Sequence, residues 1–507
     1  MREWWNGMEC LIRKHDAHQF EIKLAYPLNR EHVEDRYRLE MFLFLPYQLG
    51  VNEGRYTRED FYRDLHGYVR FKTPPMTLAE LADETTVTSP VWRLRKWGDD
   101  ARSGKGWDET RTVYEIKVLA DIIRARVRDE GRHIRAHLEA TPGPEWEAAR
   151  DAAERLAGET ERALKAMRGV AEHWSGVAVP ARVAETQEWA DEYVNAEVED
   201  LLLRVMAEAQ DRETGGEGAA LRARLAGIVR SEAEYRRSRG WKAREGDDDR
   251  RRGRGLFRQS QLKKFCAGAL FLSVFQQPGD KRFRHILYGI AAGVAMAFAT
   301  GVALLAGHRW ANQSIGFTVA LVVAYIFKDR IKEAIREYGM RLAPKWVCDR
   351  KSELMDRQSG LAIGETRERF VWENAGQTPK EVAAARLKRT GLDRVVSHGV
   401  EQVIHYTKEV RIDTGVVYQH HVRSLAINDI LRMSASGWLD WMDNAHRETL
   451  RLEADGRVSR RHAPRIYPAD IVLRMTGENG EGATIKAARL ILTRDGIVRI
   501  SRRKAQV

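Results

Sequence analysis

Residues 286–307 constrain this chain more than any other feature. They read ILYGIAAGVAMAFATGVALLAG, 22 residues without a charged side chain, although 31% of the whole 507-residue chain is charged. A helix of this length rises about 33 Å, which matches the roughly 30 Å hydrocarbon core of a bilayer. Helices of soluble proteins seldom stay free of charge for six turns. The stretch therefore predicts a membrane-spanning helix.

A second charge-free stretch, WANQSIGFTVALVVAYIF at 310–327, follows after a connection of a few residues. It is shorter, and its first turn is polar. The two stretches together predict a transmembrane helical hairpin over 285–327, and the alternative is a buried helix pair in a soluble core. A third apolar run at 265–275 is too short to span and predicts an interfacial helix or an ordinary core helix.

Basic residues flank both predicted spans. Three precede the first span and three follow the second: Lys281, Arg282, Arg284, Lys328, Arg330 and Lys332. Lys and Arg next to spans stay on the cytoplasmic side, so we expect a multi-pass protein of the cytoplasmic (inner) membrane with both termini in the cytoplasm. We also expect these six side chains to face anionic headgroups of the lipid bilayer.

Small residues recur every four positions in the first predicted span. One row is Gly289, Gly293, Ala297 and Gly301, and a second row is Ala291, Ala295, Ala299, Ala303 and Gly307. In lipid, helices associate through close van der Waals contact, which small side chains permit. One row can therefore pack against the second helix and the other against another copy of the chain, which predicts a homo-oligomer. The alternative is that both rows only reflect an alanine-rich composition.

The net charge of +12 is unevenly distributed. Residues 1–240 carry a net charge of −6, whereas 241–284 carry +7 and 328–507 carry +10. A basic excess crowded around a membrane segment is typical of topology signals and lipid contact, and the acidic first half argues against a large nucleic-acid interface there. The three cysteines are far apart in the sequence, which argues against a disulfide framework or a structural zinc site.

The fold class that we predict is a membrane protein with α+β soluble parts. The parts are an N-terminal α/β unit (1–111), a helical bundle (112–240), a basic linker containing the short apolar run (241–284), the transmembrane helical hairpin (285–327), a juxtamembrane helix (328–358) and a C-terminal mainly β, α+β domain (359–507). Apolar residues spaced near 3.6 support the bundle.

Local signals place several helix starts and turns. Thr57 is a candidate N-cap, and the spacings Thr77 to Glu80 and Thr112 to Glu115 fit capping boxes. In the C-terminal part, three dipeptides supply the positive φ that tight hairpin turns need: Asp455-Gly456, Asn479-Gly480 and Asp495-Gly496. We also expect a hairpin over 408–424 and a helix within 428–443.

No motif in the sequence indicates a specific chemistry. There is no P-loop, no dinucleotide fingerprint, no HExxH and no GxSxG. His420 and His421 are adjacent on a predicted strand and point to opposite faces, so a metal site with His405 and Asp413 is a weak alternative to ordinary sheet histidines. HGYVRFK at 66–72 only partly matches an RNA-recognition strand. We therefore predict no cofactor and no metal, and the sequence identifies no catalytic residues.

The sequence thus favours an integral cytoplasmic-membrane protein that displays two cytoplasmic domains as a scaffold, sensor or regulatory module. The protein partner, ligand and pathway stay open. One alternative is a membrane-tethered enzyme of unidentified reaction. The other is a membrane-anchored nucleic-acid binder that uses the basic C-terminal domain.

Overall fold

The structure is a computed structural model. It describes residues 9–138, 144–210, 215–241, 249–278, 281–309, 314–341, 347–386, 401–477 and 483–502. The described residues form a mixed α+β protein, which confirms the α+β part of the predicted fold class. The predicted Asn479-Gly480 turn lies outside the described residues.

Two sheets form the centre of the molecule. The larger has eight antiparallel strands in the order β14-β13-β12-β3-β8-β7-β6-β5, and the smaller has the order β1-β2-β9-β4. The strands are β1 Glu9–Lys14, β2 Gln19–Pro27, β3 Glu34–Leu45, β4 Leu65–Phe71, β5 Ser273–Pro278, β6 Arg350–Met355, β7 Ala362–Asn374, β8 Gln402–Asp413, β9 Ala426–Ser434, β10 His446–Leu452, β11 Val458–Pro464, β12 Tyr467–Thr476, β13 Thr484–Thr493 and β14 Gly496–Arg502.

The N-terminal and C-terminal segments of the chain share both sheets. β3 lies between β8 and β12, and β9 lies between β2 and β4. Segments that the sequence places in separate units, 1–111 and 359–507, are therefore joined by backbone hydrogen bonds. Strand pairing over several hundred residues leaves no local signature, so the sequence alone did not reveal this arrangement. Side chains from both sheets contribute to one continuous apolar core.

The helices of the described residues are given in chain order. They are α1 Arg58–Asp64, α2 Leu78–Ala82, α3 Pro90–Arg102, α4 Glu109–Leu138, α5 Pro144–His173, α6 Ala181–Gln210, α7 Gly215–Ser238, α8 Asp249–Ala267, α9 Lys281–Arg309, α10 Ile315–Arg341, α11 Lys380–Ala385, α12 Thr414–His420 and α13 Ser436–Leu439. Helices α4 to α7 lie in the region predicted as a helical bundle, and α8, from the predicted basic linker, packs against α4 and α6. Helix α4 also packs against α5 and α6. Helices α2 and α3 also contact the bundle, and α9 and α10 pack against each other.

Several local predictions are confirmed and others are wrong. Thr57 and Thr77 both form complete capping boxes. Thr112 does not cap a helix, because α4 begins three residues earlier and the Thr112 hydroxyl donates to the carbonyl of Asp108 within the first turn. Glycines with positive φ at 456 and 496 form the predicted hairpin turns.

Three predicted elements differ from the structure. The expected hairpin over 408–424 is the strand β8 followed by the helix α12. The helix expected within 428–443 is confined to α13, Ser436–Leu439, because the residues before it, up to Ser434, belong to the strand β9. β9 is buried between two neighbouring strands, and burial on both faces hides its period of two. The short apolar run at 265–275 is the end of α8, a turn and the beginning of β5, rather than a third helix.

The prediction of two spanning helices is not supported. Among the described residues, only His285–His308 forms a helix segment long and apolar enough to cross a membrane. α10 extends over Ile315–Arg341, but its charge-free part ends at Phe327. Those 13 residues rise about 20 Å, well short of a hydrocarbon core.

Candidate functional site

Helices α9 and α10 pack against each other as an antiparallel pair. Leu287 near the start of α9 lies beside Gly339 near the end of α10, where an added Cβ would come within 2.6 Å of the Leu287 Cδ1 atom. One turn away, the guanidinium of Arg336 lies 4.6 Å from the centre of the Tyr288 ring. These two contacts fix which residues of the two helices lie side by side.

The two rows of small residues face different directions. Ala291 and Ala295 are fully buried, and they lie on the side of α9 that packs against α10. The predicted packing row lies on the other side: a Cβ added at Gly289, Gly293 or Gly301 would contact none of the residues that the structure describes within 4 Å, and Ala297 is exposed. That row is therefore open to a partner.

Large apolar side chains cover the outer surface of the pair. On α9, Ile286 is 63% exposed, Ile290 55% and Leu304 71%. The other exposed large apolar side chains of the pair are Tyr288, Val294, Met296, Phe298, Leu305, Ile315, Val319, Leu321, Val322, Val323, Tyr325, Ile326, Phe327 and Tyr338. Soluble monomers rarely expose a continuous apolar surface of this kind, and such a surface marks a site of contact with another protein or with lipid.

The basic residues that were predicted to keep both ends of the pair in the cytoplasm lie at two different positions along it. Lys281, Arg282 and Arg284 lie in the first turn of α9. Lys328, Arg330 and Lys332 lie in the middle of α10, which continues to Arg341. The Lys328 ammonium lies 4.3 Å from the centre of the Tyr325 ring, on its own helix.

The chain leaves and re-enters the sheet at the same place. β5 precedes α9 and β6 follows α10, and these strands are antiparallel neighbours with Pro278 opposite Arg350. Both ends of the helix pair are therefore attached to one edge of the eight-stranded sheet. A chain that passes through α9 and α10 must return to the side from which it started.

A charged groove of about 730 Å³ lies on the outer face of the larger sheet. His405 of β8 lies at its floor, stacked on Phe42 with ring centres 4.2 Å apart. The imidazole Nδ1 lies 2.7 Å from Glu373 Oε1, and Nε2 lies 3.3 Å from Glu40 Oε1. Arg474 lies 2.6 Å from Glu40 on the opposite side.

The protonation states in this groove follow from these contacts. Burial opposes the charged imidazole, but the hydrogen bonds with Glu373 and Glu40 outweigh it and raise the pKa of His405 above its usual value. Burial also opposes ionisation of Glu40, but hydrogen bonds from His405 and Arg474 lower its pKa to about 2. The floor of the groove is therefore a network of ion pairs, whose contacts favour the protonated imidazole of His405 and the ionised carboxylate of Glu40.

The histidines considered for a metal site lie apart. Asp413 caps α12 by accepting from the backbone N–H of Val416, and His420 is exposed at the end of that helix. His421 is buried, with Nε2 3.0 Å from Asp356 and Nδ1 2.9 Å from the Tyr114 hydroxyl. Within the described residues, no group of three or more His, Cys, Asp and Glu side chains is arranged to hold a metal ion.

The groove was not predicted from the sequence because four strands, β3, β7, β8 and β12, contribute to it. Glu40, His405 and Glu373 belong to β3, β8 and β7, which pair side by side only in the folded chain. The available signal was the alternation of charged with apolar residues along each strand, which marks a solvent-facing sheet surface. Such alternation shows which face of a strand is exposed to solvent, but it does not show which strands lie beside it.

Comparisons with known proteins identify no relative. No protein-family model, no curated protein and no solved structure matches the chain significantly.

Proposed function

We propose that this protein is anchored in the cytoplasmic membrane by the helix pair α9–α10 and presents its α+β body on the cytoplasmic face as a scaffold, sensor or regulatory module. The observation that carries the proposal is the charge-free surface of α9, whose large apolar side chains are exposed in the folded chain. Placing such a side chain in an apolar environment is worth about 1.5–3 kcal/mol, so lipid is its natural partner.

The position of the helix pair in the fold supports a body on one side of the membrane. β5 and β6 hold the two ends of the pair together, and the segments before and after the pair share both sheets. The first turn of α9 and the second half of α10 supply the basic residues that favour the cytoplasmic face.

The charged groove supports a binding role for the body. Its floor carries carboxylates and guanidinium groups whose charges are fixed by ion pairs, and His405 is held as part of that network. Such a surface suits recognition of a polar partner better than proton transfer. We therefore favour a binding module over an enzyme.

Membrane fractionation tests the anchor. We expect the full-length protein to stay in the membrane pellet after washing with alkaline carbonate and to require detergent for release. Replacing Val294 and Val322 by Asp should release a substantial fraction, because each change places a charge on the exposed apolar surface of one helix. Leu450→Asp is the control, since Leu450 is even more exposed than the two valines but lies on β10. Release of the unmodified protein by carbonate alone would contradict the proposal.

We also propose that copies of the chain associate through the open row of small residues on α9, which contains Gly289, Gly293 and Gly301. Gly289→Leu with Gly293→Leu should reduce cross-linking between copies in membranes, because bulky side chains prevent close helix contact. Ala292→Leu, on an exposed position outside the row, is the control. Equal cross-linking of all three proteins would contradict an oligomer built on this row.

A further inference from the structure

The two helices of the pair differ in charge where they lie side by side. Because Leu287 lies beside Gly339, counting equal numbers of residues toward the tip places residues 287–298 of α9 alongside 328–339 of α10. The α9 segment is free of charge. The α10 segment carries Lys328, Asp329, Arg330, Lys332, Glu333, Arg336 and Glu337. At one level of the pair, an apolar helix and a charged helix therefore lie side by side.

The outer part of the pair is apolar on both helices except at its tip, where α9 ends in His308 and Arg309. It corresponds to residues 315–327 of α10, about 20 Å of helix, whereas the hydrocarbon core is about 30 Å thick. If the pair stood perpendicular to the membrane and crossed it, Asp329 and Glu333 would lie in hydrocarbon. If it stood perpendicular but entered only 20 Å, Ile290 and Val294 would stay in water. Neither arrangement matches the exposed surfaces.

We propose that the pair lies obliquely in the cytoplasmic leaflet, with α9 toward the acyl chains and the charged half of α10 at the level of the headgroups. This inference rests on the proposed membrane anchor and specifies its partner as one leaflet of lipid. In an oblique pair, α9 is immersed along its whole apolar length, while α10 keeps its charged residues outside the hydrocarbon. Neither helix crosses the bilayer.

The side chains at the junction fit that orientation. Asp329, Arg330 and Glu333 are exposed on α10, whereas Ile290 and Val294 are exposed on α9. Between the two helices, the Arg336 guanidinium covers the Tyr288 ring, an arrangement that interfacial aromatic and basic residues adopt at headgroup depth. The four cations of this α10 segment outnumber its three carboxylates, which favours anionic headgroups.

Depth measurements on single-cysteine variants test the orientation. The full chain carries Cys10→Ser, because Cys266 and Cys348 are buried, and receives a fluorescent label at Val294→Cys, Glu333→Cys or Val322→Cys. Each protein is reconstituted in vesicles of zwitterionic and anionic phospholipid that contain spin-labelled lipids with a shallow or a deep quencher. Residues 294 and 333 lie at the same level along the pair, so any difference in their depth reports tilt.

We expect deep quenchers to act on the Val294 label at least twice as strongly as on the Glu333 label, relative to shallow quenchers. Equal ratios at the two positions would overturn the oblique orientation, as would a Val294 label that only aqueous iodide quenches. A Val294 label that neither lipid nor iodide quenches would also overturn it and indicate a second copy on this face. The Val322 label separates these results from failure of the anchor, since lipid must quench it in every membrane-bound orientation.

Discussion

A buried ion pair links the two sheets, and its removal has a calculable cost. The ammonium of Lys408 in β8 lies 2.7 Å from one carboxylate oxygen of Asp429 in β9, and the two side chains are 3% and 1% exposed. Glu368 of β7 lies 3.9 Å from the same ammonium. Burial raises the pKa of Glu368, and Lys408 opposes that increase. The lysine therefore compensates two carboxylates that have little access to water.

Lys408→Met retains much of the lysine volume but leaves the Asp429 carboxylate without a cation. Breaking a buried pair in this way costs about 3–5 kcal/mol, because the remaining charge stays desolvated. In detergent, the urea midpoint should therefore fall by this loss divided by the slope of the unfolding free energy, which in a chain of this size exceeds the roughly 1–3 kcal/mol per molar urea of small proteins. Far-ultraviolet circular dichroism follows the unfolding.

The double variant Lys408→Met with Asp429→Leu is the matched control. Replacing a buried ion pair by apolar side chains is often neutral or stabilising, so the double variant should recover the part of the loss that comes from the unpaired Asp429. Glu368 stays without Lys408 in both variants. A single variant that loses less than about 1 kcal/mol would refute the reasoning. A double variant as unstable as the single variant would refute it equally, since the loss would then come from packing rather than from an uncompensated charge.

Two further predictions concern the helical bundle and the charged groove. Gly98→Ala should lower the melting temperature, with a loss of about 1–3 kcal/mol, because its Cβ would lie 2.4 Å from the Trp174 ring, whereas Gly158→Ala meets open space and should be neutral or stabilising. In the groove, the raised pKa of His405 stabilises the folded state below about pH 6.5, and this stabilisation is lost as the pH rises through the folded pKa. The melting temperature of the native protein should therefore exceed that of His405→Gln more at pH 6 than at pH 9, and a constant difference would contradict the ionised network. The lowered pKa of Glu40 has the opposite effect on the pH dependence. It stabilises the folded state above about pH 4.5, and this stabilisation is lost as the pH falls toward 2.

The sequence predicted features that depend on neighbouring residues. Thr57 and Thr77 cap their helices because a side-chain oxygen and an N3 carboxylate three residues apart suffice to form a capping box. The helices of the bundle follow from a period near 3.6 in apolar residues, and the turn at Gly456 follows from its positive φ. The apolar surface of α9 was also predictable, since it is continuous in the sequence.

Features that depend on distant residues were not predictable in this way. β9 contains polar Asn428 and Asp429, yet both are buried, and Lys408 from another strand compensates the Asp429 carboxylate. The groove around His405 needs the register of neighbouring strands. The asymmetry of the helix pair needs the contact between Leu287 and Gly339, which neither helix reveals alone. In each case the missing information is a tertiary contact rather than a propensity.

The central claim is that the helix pair enters the membrane and returns to the same side, and cysteine accessibility tests it most directly. Gln276→Cys in β5 and Leu361→Cys after β6 place exposed thiols before and after the pair, in a Cys10→Ser background. Membrane vesicles of known orientation, washed with carbonate, are treated with a membrane-impermeant maleimide. If the pair returns to the side from which it entered, both thiols react in inside-out vesicles and neither reacts in right-side-out vesicles. Labelling of the two thiols from opposite sides, or loss of the protein in the wash, would contradict it.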